Sequence, residues 1–529
     1  MNAACDRSTF EPGTVSLCMI VRDSARTLPA CLESIRPWVD EMILVDTGSA
    51  DATMQIAQQH GARVSQFPWC DDFSAARNES LRRAASEWLF WMDADDTISP
   101  GDGRKLRELV RRPIANETLG FICQVRCPLE SASGQDEATM VDHVKVFRNL
   151  PRLKFEGRVH EQILPAIRRC GGRVEWTDIC VLHSGADYSP RGRRRKHERD
   201  LRLIKLELEA NPNHPFQLFN LGMTYADMGQ DALAARALER SIAVAGPAES
   251  HLRKAYSLLA GSYSRLGVPD QALEVSRRGV GLYPEDFELL FLKGTLAQRQ
   301  GLVDEAERAY RLVMGAGEVR YFASSDSGIK AYKARHNLAR LYLDCHRHSD
   351  AAEHWEALLR ENARYTPAWE GLIETLVVQG RYNDALLAAG RMAESLGDDD
   401  GPLHRELLCI QIALAQNDTA DARARLEALA LAHADHPEVK QAWAKFAFEH
   451  GSPEEAEKSL LALQQLNPRD AALHHNLAIV YLRLGRLDDA RTQANASLKL
   501  RPNYRPTQEL LAAAERVSGC GQAESHPDR

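Results

Sequence analysis

The chain has 529 residues, 44% of them hydrophobic and 26% charged, with a formal net charge of −8. That is the balance of an ordinary globular protein too long for one core, so about two to four domains are expected. The acidic excess argues against general nucleic-acid binding, and no apolar run approaches the ~18 residues of a transmembrane helix. The first residues lack the basic-then-apolar order of a secretory signal. Eleven cysteines are scattered without a CxxC pair, and Cys18 and Cys123 sit inside apolar runs. They read as small hydrophobes in a reducing cytoplasm rather than as zinc ligands or a disulfide framework.

Residues 14–21 (TVSLCMIV) predict a first buried strand, and 28–38 a helix with Leu28, Leu32 and Ile35 on one face. A second strand, 42–45, runs into Asp46-Thr47-Gly48-Ser49-Ala50-Asp51, followed by a helix over 52–60 and a short strand over 62–67. Ser74 is the expected cap of the next helix, with Arg77 near its first turn. The run 88–92 is a further strand, ending abruptly in Asp93, Asp95 and Asp96. Strands alternating with single helices predict an α/β domain with a parallel or mixed sheet. Beyond a helix over 106–111 the pattern changes. Strands over 119–127, 141–148 and 152–160 without intervening helices suggest an antiparallel extension, and 180–183 a last short strand before a polar turn over 184–188.

From 193 to 209 the sequence is a charged amphipathic helix that opens on RGRRRKHER. This run is either a solvated helix start or the source of one or two cations for a diphosphate or an anionic acceptor. The remainder repeats. A turn position is followed five residues later by alanine in the pairs Gly229/Ala234, Gly267/Ala272, Gly301/Ala306, Arg347/Ala352, Gly380/Ala385, Asn417/Ala422, Gly451/Ala456 and Gly485/Ala490. The commonest step, 34 residues, is that of tetratricopeptide (TPR) helix–turn–helix units, which stack into a solenoid. One 46-residue step implies an insertion around 315–328. The expected domains are therefore 1–190 (α/β), 191–212 (linker helix), 213–502 (all-α solenoid of about eight repeats) and 503–529 (capping helix and tail).

In open α/β sheets, ligands bind beyond the carboxyl ends of the strands. Carboxylates there suit a hard cation such as Mg²⁺ or Mn²⁺, although an acidic strand end can equally be a solvated turn. Asp46, directly after a strand, is placed to contact a nucleobase or ribose, whereas Asp51 is better placed as a helix cap. A cation near a helix amino terminus is unfavourable without an anion beside it, so Arg77 is a candidate diphosphate contact.

The segments SLCMIVRD (16–23), VDTGSADAT (45–53) and DADD (93–96) resemble glycosyltransferase family two, nucleotide-sugar enzymes of the GT-A fold. The first strand departs from the family, which typically has Asn-Glu where this chain has Asp23-Ser24. The resemblance implies that Val21, Asp46, Arg77, Asp93 and Ala94 bind the nucleotide sugar, and that Asp95 holds a divalent cation on its diphosphate with His183 as a further ligand. The segment FEGRVHEQ (155–162) resembles a motif of the TPR-bearing subgroup, and it implies Glu161 as general base, with His160 the alternative. In a strand these two neighbours would point to opposite faces. The expectation is a cytoplasmic, metal-dependent, inverting hexosyl- or N-acetylhexosaminyltransferase using a UDP-sugar, with a protein or peptide acceptor recruited by the TPR groove and homo-oligomers compatible with the sequence. The alternatives are a polysaccharide or lipid-linked glycan acceptor, or a non-catalytic TPR scaffold with a vestigial sugar-nucleotide domain.

Overall fold

The computed structural model describes residues 10–128, 138–183, 189–246, 249–317, 325–326, 328–397 and 401–512. It divides into two compact units, Met1–Leu341 and Tyr342–Arg529.

The first unit opens with β1 (Val15–Val21), α1 (Leu28–Ile35), β2 (Glu41–Asp46), α2 (Thr53–Gln59), β3 (Arg63–Gln66), α3 (Phe73–Arg82) and β4 (Trp88–Trp91). There follow β5 (Asp96–Ile98), α4 (Pro100–Arg111), β6 (Thr118–Pro128), β7 (Ala138–Arg148), α5 (Leu164–Arg169) and β8 (Arg173–His183). The sheet order is β3-β2-β1-β4-β7-β6-β8-β5. The first four strands are parallel, β7 is antiparallel to β4 and β6, and β5 is antiparallel to β8. The expected mixed sheet with an antiparallel extension is present.

Why the early strands read as unbroken apolar runs is clear from their two faces. Leu17, Met19, Trp88 and Phe90 belong to a core that includes α1 and α4. Cys18, Leu89 and Trp91 belong to a second core that includes Leu81 of α3 and Ala166 of α5. The chain passes from β1 to β2 on one side and reaches β4 on the other, so the carboxyl ends of β1 and β4 flank the point where the strand order reverses. Such points leave a crevice.

Three local expectations need correction. Residues 152–160 are not a strand: a single bridge joins Glu156 to Gln162, and Gly157 and His160 take φ of 94° and 54°, which interrupts an extended path. The last strand is eleven residues long, preceded by the unanticipated α5, and the turn at 184–188 lies outside the described residues. The cap of α3 is Asp72, whose carboxylate accepts from Ala75 N, while the Ser74 hydroxyl only donates to Asp72.

The expected linker is the 21-residue helix α6 (Pro190–Ala210), and it packs on the sheet domain. Its Leu203 and Ile204 are fully buried with Val159, against Trp69 and Phe73. Arg202 is ion-paired with Asp71. Helical hairpins follow, from α7 (Pro215–Asp227) and α8 (Asp231–Val244) onward, so the sheet domain is succeeded by an all-helical, TPR-like solenoid. Gly229, Gly267, Gly301, Gly380 and Gly485 take left-handed φ between paired helices, as the repeat demands. The fourth turn is displaced by one residue: His346 is left-handed and Ala351 is fully buried, in place of Arg347 and Ala352. That shift restores a 34-residue step to Gly380. Gly451 keeps negative φ, and the next helix begins instead with a Ser452–Glu455 capping box. In the inserted region, β9 (Ser325–Asp326) pairs antiparallel with Met140 and Thr139 of β7.

Close packing within the hairpins uses glycine as well as alanine. In the second unit, a Cβ on Gly371 would lie 2.4 Å from Trp355, which is itself fully buried. Gly371→Ala is expected to lower stability by about 1–3 kcal/mol through overpacking. Thermal denaturation of the full chain measures it, and an unchanged Tm would count against this packing.

Candidate active site

A cleft of about 1480 Å³ opens where β1 and β4 end and brings together Val21, Arg77, Asp93, Ala94, Asp95, His160, Glu161 and His183. These are eight of the nine residues singled out from the sequence.

Beyond β4 the chain turns tightly: Asp96 N donates to the Asp93 carbonyl at 3.0 Å, and Asp93 N donates to Asp96 Oδ2 at 3.0 Å. β5 then pairs Asp96 directly with His183 of β8. This register places the ring beside the acidic turn, with Nδ1 donating to Asp96 Oδ1 at 2.9 Å and lying 3.5 Å from Asp95 Oδ1. The other Asp96 oxygen accepts from Lys145 Nζ at 2.8 Å, and both side chains are at most 2% exposed. Lys145 Nζ also lies 3.7 Å from the centroid of the Trp91 ring.

Burial would push the Asp96 carboxyl up, but the Lys145 ammonium and the His183 hydrogen bond outweigh it and hold the group well below the usual range. The same bond to Asp96 raises His183. Asp95 lacks such compensation: burial raises its carboxyl, and His183 offsets this only in part.

Arg77 projects from α3 beneath this turn. Its Nη2 donates to Asp93 Oδ1 at 2.8 Å and its Nε to Glu161 Oε1 at 2.5 Å, with the guanidinium 4.3 Å from the Trp91 centroid. Burial opposes the charge on Arg77, and the two carboxylates overcome it. For Asp93 burial likewise acts upward, and Arg77 brings the net shift below the ordinary value. Arg77 Nη1 is buried without a hydrogen-bond partner among the described residues.

Because 152–160 is irregular, His160 and Glu161 do not face opposite ways; both line the cleft. The two differ in access. The only hydrogen bond to the Glu161 carboxylate among the described residues is to Oε1, which leaves Oε2 unengaged. His160 Nε2 is enclosed without a hydrogen-bond partner among the described residues, and burial lowers its pKa, which favours the neutral imidazole.

Asp46 is the one singled-out residue that does not line the cleft. It is 1% exposed, and its carboxylate closes the turn after β2 by accepting from Gly48 N and Ser49 N, each at 3.0 Å. Thr47, next to it, faces the cleft instead. Asp51 stands one residue before the cap position of α2, which Ala52 occupies without a side-chain bond; its carboxylate accepts from Thr53 N at 2.9 Å and from Ala25 N at 3.0 Å. Asp23, the departure from the family pattern, is left-handed and accepts from Ala50 N at 2.7 Å, tying the first two loops together.

Sequence reasoning overlooked Lys145 and His143. They stand two apart on β7, therefore on one face, and both line the cleft. His143 and Lys145 alternating with Val144, Val146 and Phe147 were the available signal. Ligand atoms of Asp93, Asp96 and His183 lie within 4.8 Å of one another. With Asp95 nearby, the set offers carboxylate oxygens and one imidazole, a chemistry that fits Mn²⁺ or Mg²⁺.

Residues 16–137 match the model for "Glycosyl transferase family 2", and 257–318, 336–401 and 442–505 match "Tetratricopeptide repeat". A TPR repeat-containing protein of Synechococcus elongatus is 28% identical over 57% of this chain and 66% of its own length. The SPbeta prophage-derived glycosyltransferase SunS of Bacillus subtilis is 27% identical over 43% of this chain and 53% of its own. The chain thus spans about half to two thirds of these relatives. A crystal structure of a tetratricopeptide repeat protein from Parabacteroides merdae covers 57% of this chain and 98% of that one, at 14% identity and a TM-score of 0.37.

Proposed function

Starting from a chain that carries a glycosyl transferase family 2 domain followed by tetratricopeptide repeats, we propose a metal-dependent, inverting transfer of a sugar from a UDP-sugar to a protein or peptide acceptor. The observation that carries this reading is the single cleft in which Asp93, Asp95 and His183 stand with the Arg77–Glu161 pair. Asp95 and His183 would hold Mn²⁺ or Mg²⁺, with Asp93 beside them. The cation supplies charge stabilisation for the diphosphate leaving group.

The chain's own residues do the rest. Asp95, raised by burial, gains from any positive charge brought beside it. Arg77 fixes Asp93 on one side and Glu161 on the other, which sets the distance between the donor end and the base. Glu161 Oε2 takes the acceptor's proton as the new bond forms. His160, its Nε2 enclosed, shapes the loop that carries Glu161. The TPR helices offer the extended surface that a peptide acceptor requires. Among the described residues no helix is long and apolar enough to cross a membrane.

The test is hydrolysis of a panel of nucleotide sugars by the full chain, with and without Mn²⁺. Asp95→Asn is expected to reduce metal-stimulated turnover about a hundredfold or more, on the scale of losing one charge-stabilising group. Absence of turnover and of any nucleotide-induced thermal shift would overturn the enzyme reading. Sugar mass appearing on one protein captured by the full chain supports a protein acceptor; a product confined to a polysaccharide would refute it.

A further inference from the structure

We infer that α6, outside the segment matched to the transferase family, supplies a diphosphate-binding wall of the cleft through Arg193 and Lys196. This rests on the nucleotide-sugar reading above. The helix begins with Ser189 as its cap, and its side chain accepts from Gly192 N. Its first two turns carry Arg191, Arg193, Arg194, Arg195 and Lys196, with no acidic residue in the first turn. Cations at the positive end of a helix dipole oppose helix formation, and an anion bound there removes the penalty.

The cations divide by what they face. Arg191 and Arg194 are outside the cleft lining, and Arg194 is paired with Glu198. Arg195, Arg199 and Arg202 line the cleft but are engaged, the last two by Asp200 and Asp71. Arg193 and Lys196 also line it, three residues apart and hence on one helix face. Among the described residues neither has a hydrogen-bonded or ion-paired partner.

Lys196 lines the cleft together with Asp95, Asp96, His160 and Glu161. Its charge acts on Cys127, which also feels Asp95 and Asp96, and on His160 next to Glu161. The anchoring of α6 is independent of these cations, since Leu203 and Ile204 bury against Val159, Trp69 and Phe73. A nucleoside diphosphate meets the arrangement: it is anionic, has several acceptor oxygens, and must lie beside the acidic turn for its sugar bond to break. Arginine and lysine on one helix face can bind its oxygens in the same cleft that holds the carboxylates.

Calorimetric titration of the full chain with UDP and with uridine, both in Mn²⁺, tests the assignment. The Arg193→Ala/Lys196→Ala variant is expected to raise the Kd for UDP about tenfold or more while leaving uridine unchanged, because only the phosphate contacts are lost. Arg194→Ala, on the same helix but facing away, is expected to bind UDP as wild type does. Equal UDP affinity in the double variant overturns the inference, as does an equal loss in Arg194→Ala, which would reduce it to general charge. Unchanged UDP affinity with a raised KM for acceptor would give these cations to the acceptor instead. If wild type binds none of UDP, GDP and dTDP, the nucleotide-sugar reading itself fails and this inference with it.

Discussion

Arg77→Ala is expected to cost about 3–5 kcal/mol of stability, because it removes the shared partner of two carboxylates from a buried site. The guanidinium is 6% exposed and bonds Asp93 and Glu161 at once, so its loss leaves two carboxylates without their hydrogen-bonded cation. It also removes a cation from the face of Trp91. On the proposed mechanism turnover is expected to fall at least about a hundredfold, since Asp93 and Glu161 both lose the group that positions them. Arg77→Lys separates the effects. A single ammonium restores charge but lacks the planar fork that reaches both partners, so stability should recover in part and turnover little. Urea denaturation and steady-state kinetics on the three proteins read this out. A stable, active alanine variant would show that the network has no such role.

Lys145→Met carries the second large effect. Asp96, 1% exposed, would lose its ammonium partner, and the expected destabilisation is again about 3–5 kcal/mol. Adding Asp96→Asn should recover a good part of it, because the uncompensated charge is then gone. The pH dependence follows from the direction of the Asp96 shift. A carboxyl held below its unfolded value stabilises the fold fully above that value, about 3.9 for aspartate. The contribution is lost as pH falls toward the folded-state value. Wild type should therefore lose stability below about pH 4, and Lys145→Met should show a shallower loss there. Urea midpoints measured from pH 3 to 7 decide it. Parallel profiles for the two proteins would exclude this pair as a source of acid sensitivity.

How far the sequence could be read depended on which physical signal a residue carries. β1, β2 and β4 are buried on both faces, so their unbroken apolar runs gave both existence and direction, and with them the place of Asp93 and Asp95 at a strand end. The 34-residue repeat was legible because left-handed turn residues leave glycine at fixed intervals; His346 escaped because a histidine there carries no such mark. Residues 152–160 misled for the opposite reason: alternating apolar residues imitate a strand, while the left-handed Gly157 and His160 decide the path. Lys145 belongs to long-range pairing. Its partner is 49 positions away, and only the β4–β7 register brings β7 beside the acidic turn. Asp46 shows the limit of motif reading, since a carboxylate after a strand can equally close its own turn.

The short strand β9 has a consequence for where the chain can be cut. It arises more than a hundred residues after α6, yet it pairs with Thr139 and Met140 of the first unit's sheet. Severing the chain near residue 190 would strip that pairing from β7 and leave Val159, Trp69 and Phe73 without the apolar ridge of α6. The sheet domain is therefore not a portable cassette. The compact unit that holds it runs on to Leu341 and includes the first three helical hairpins.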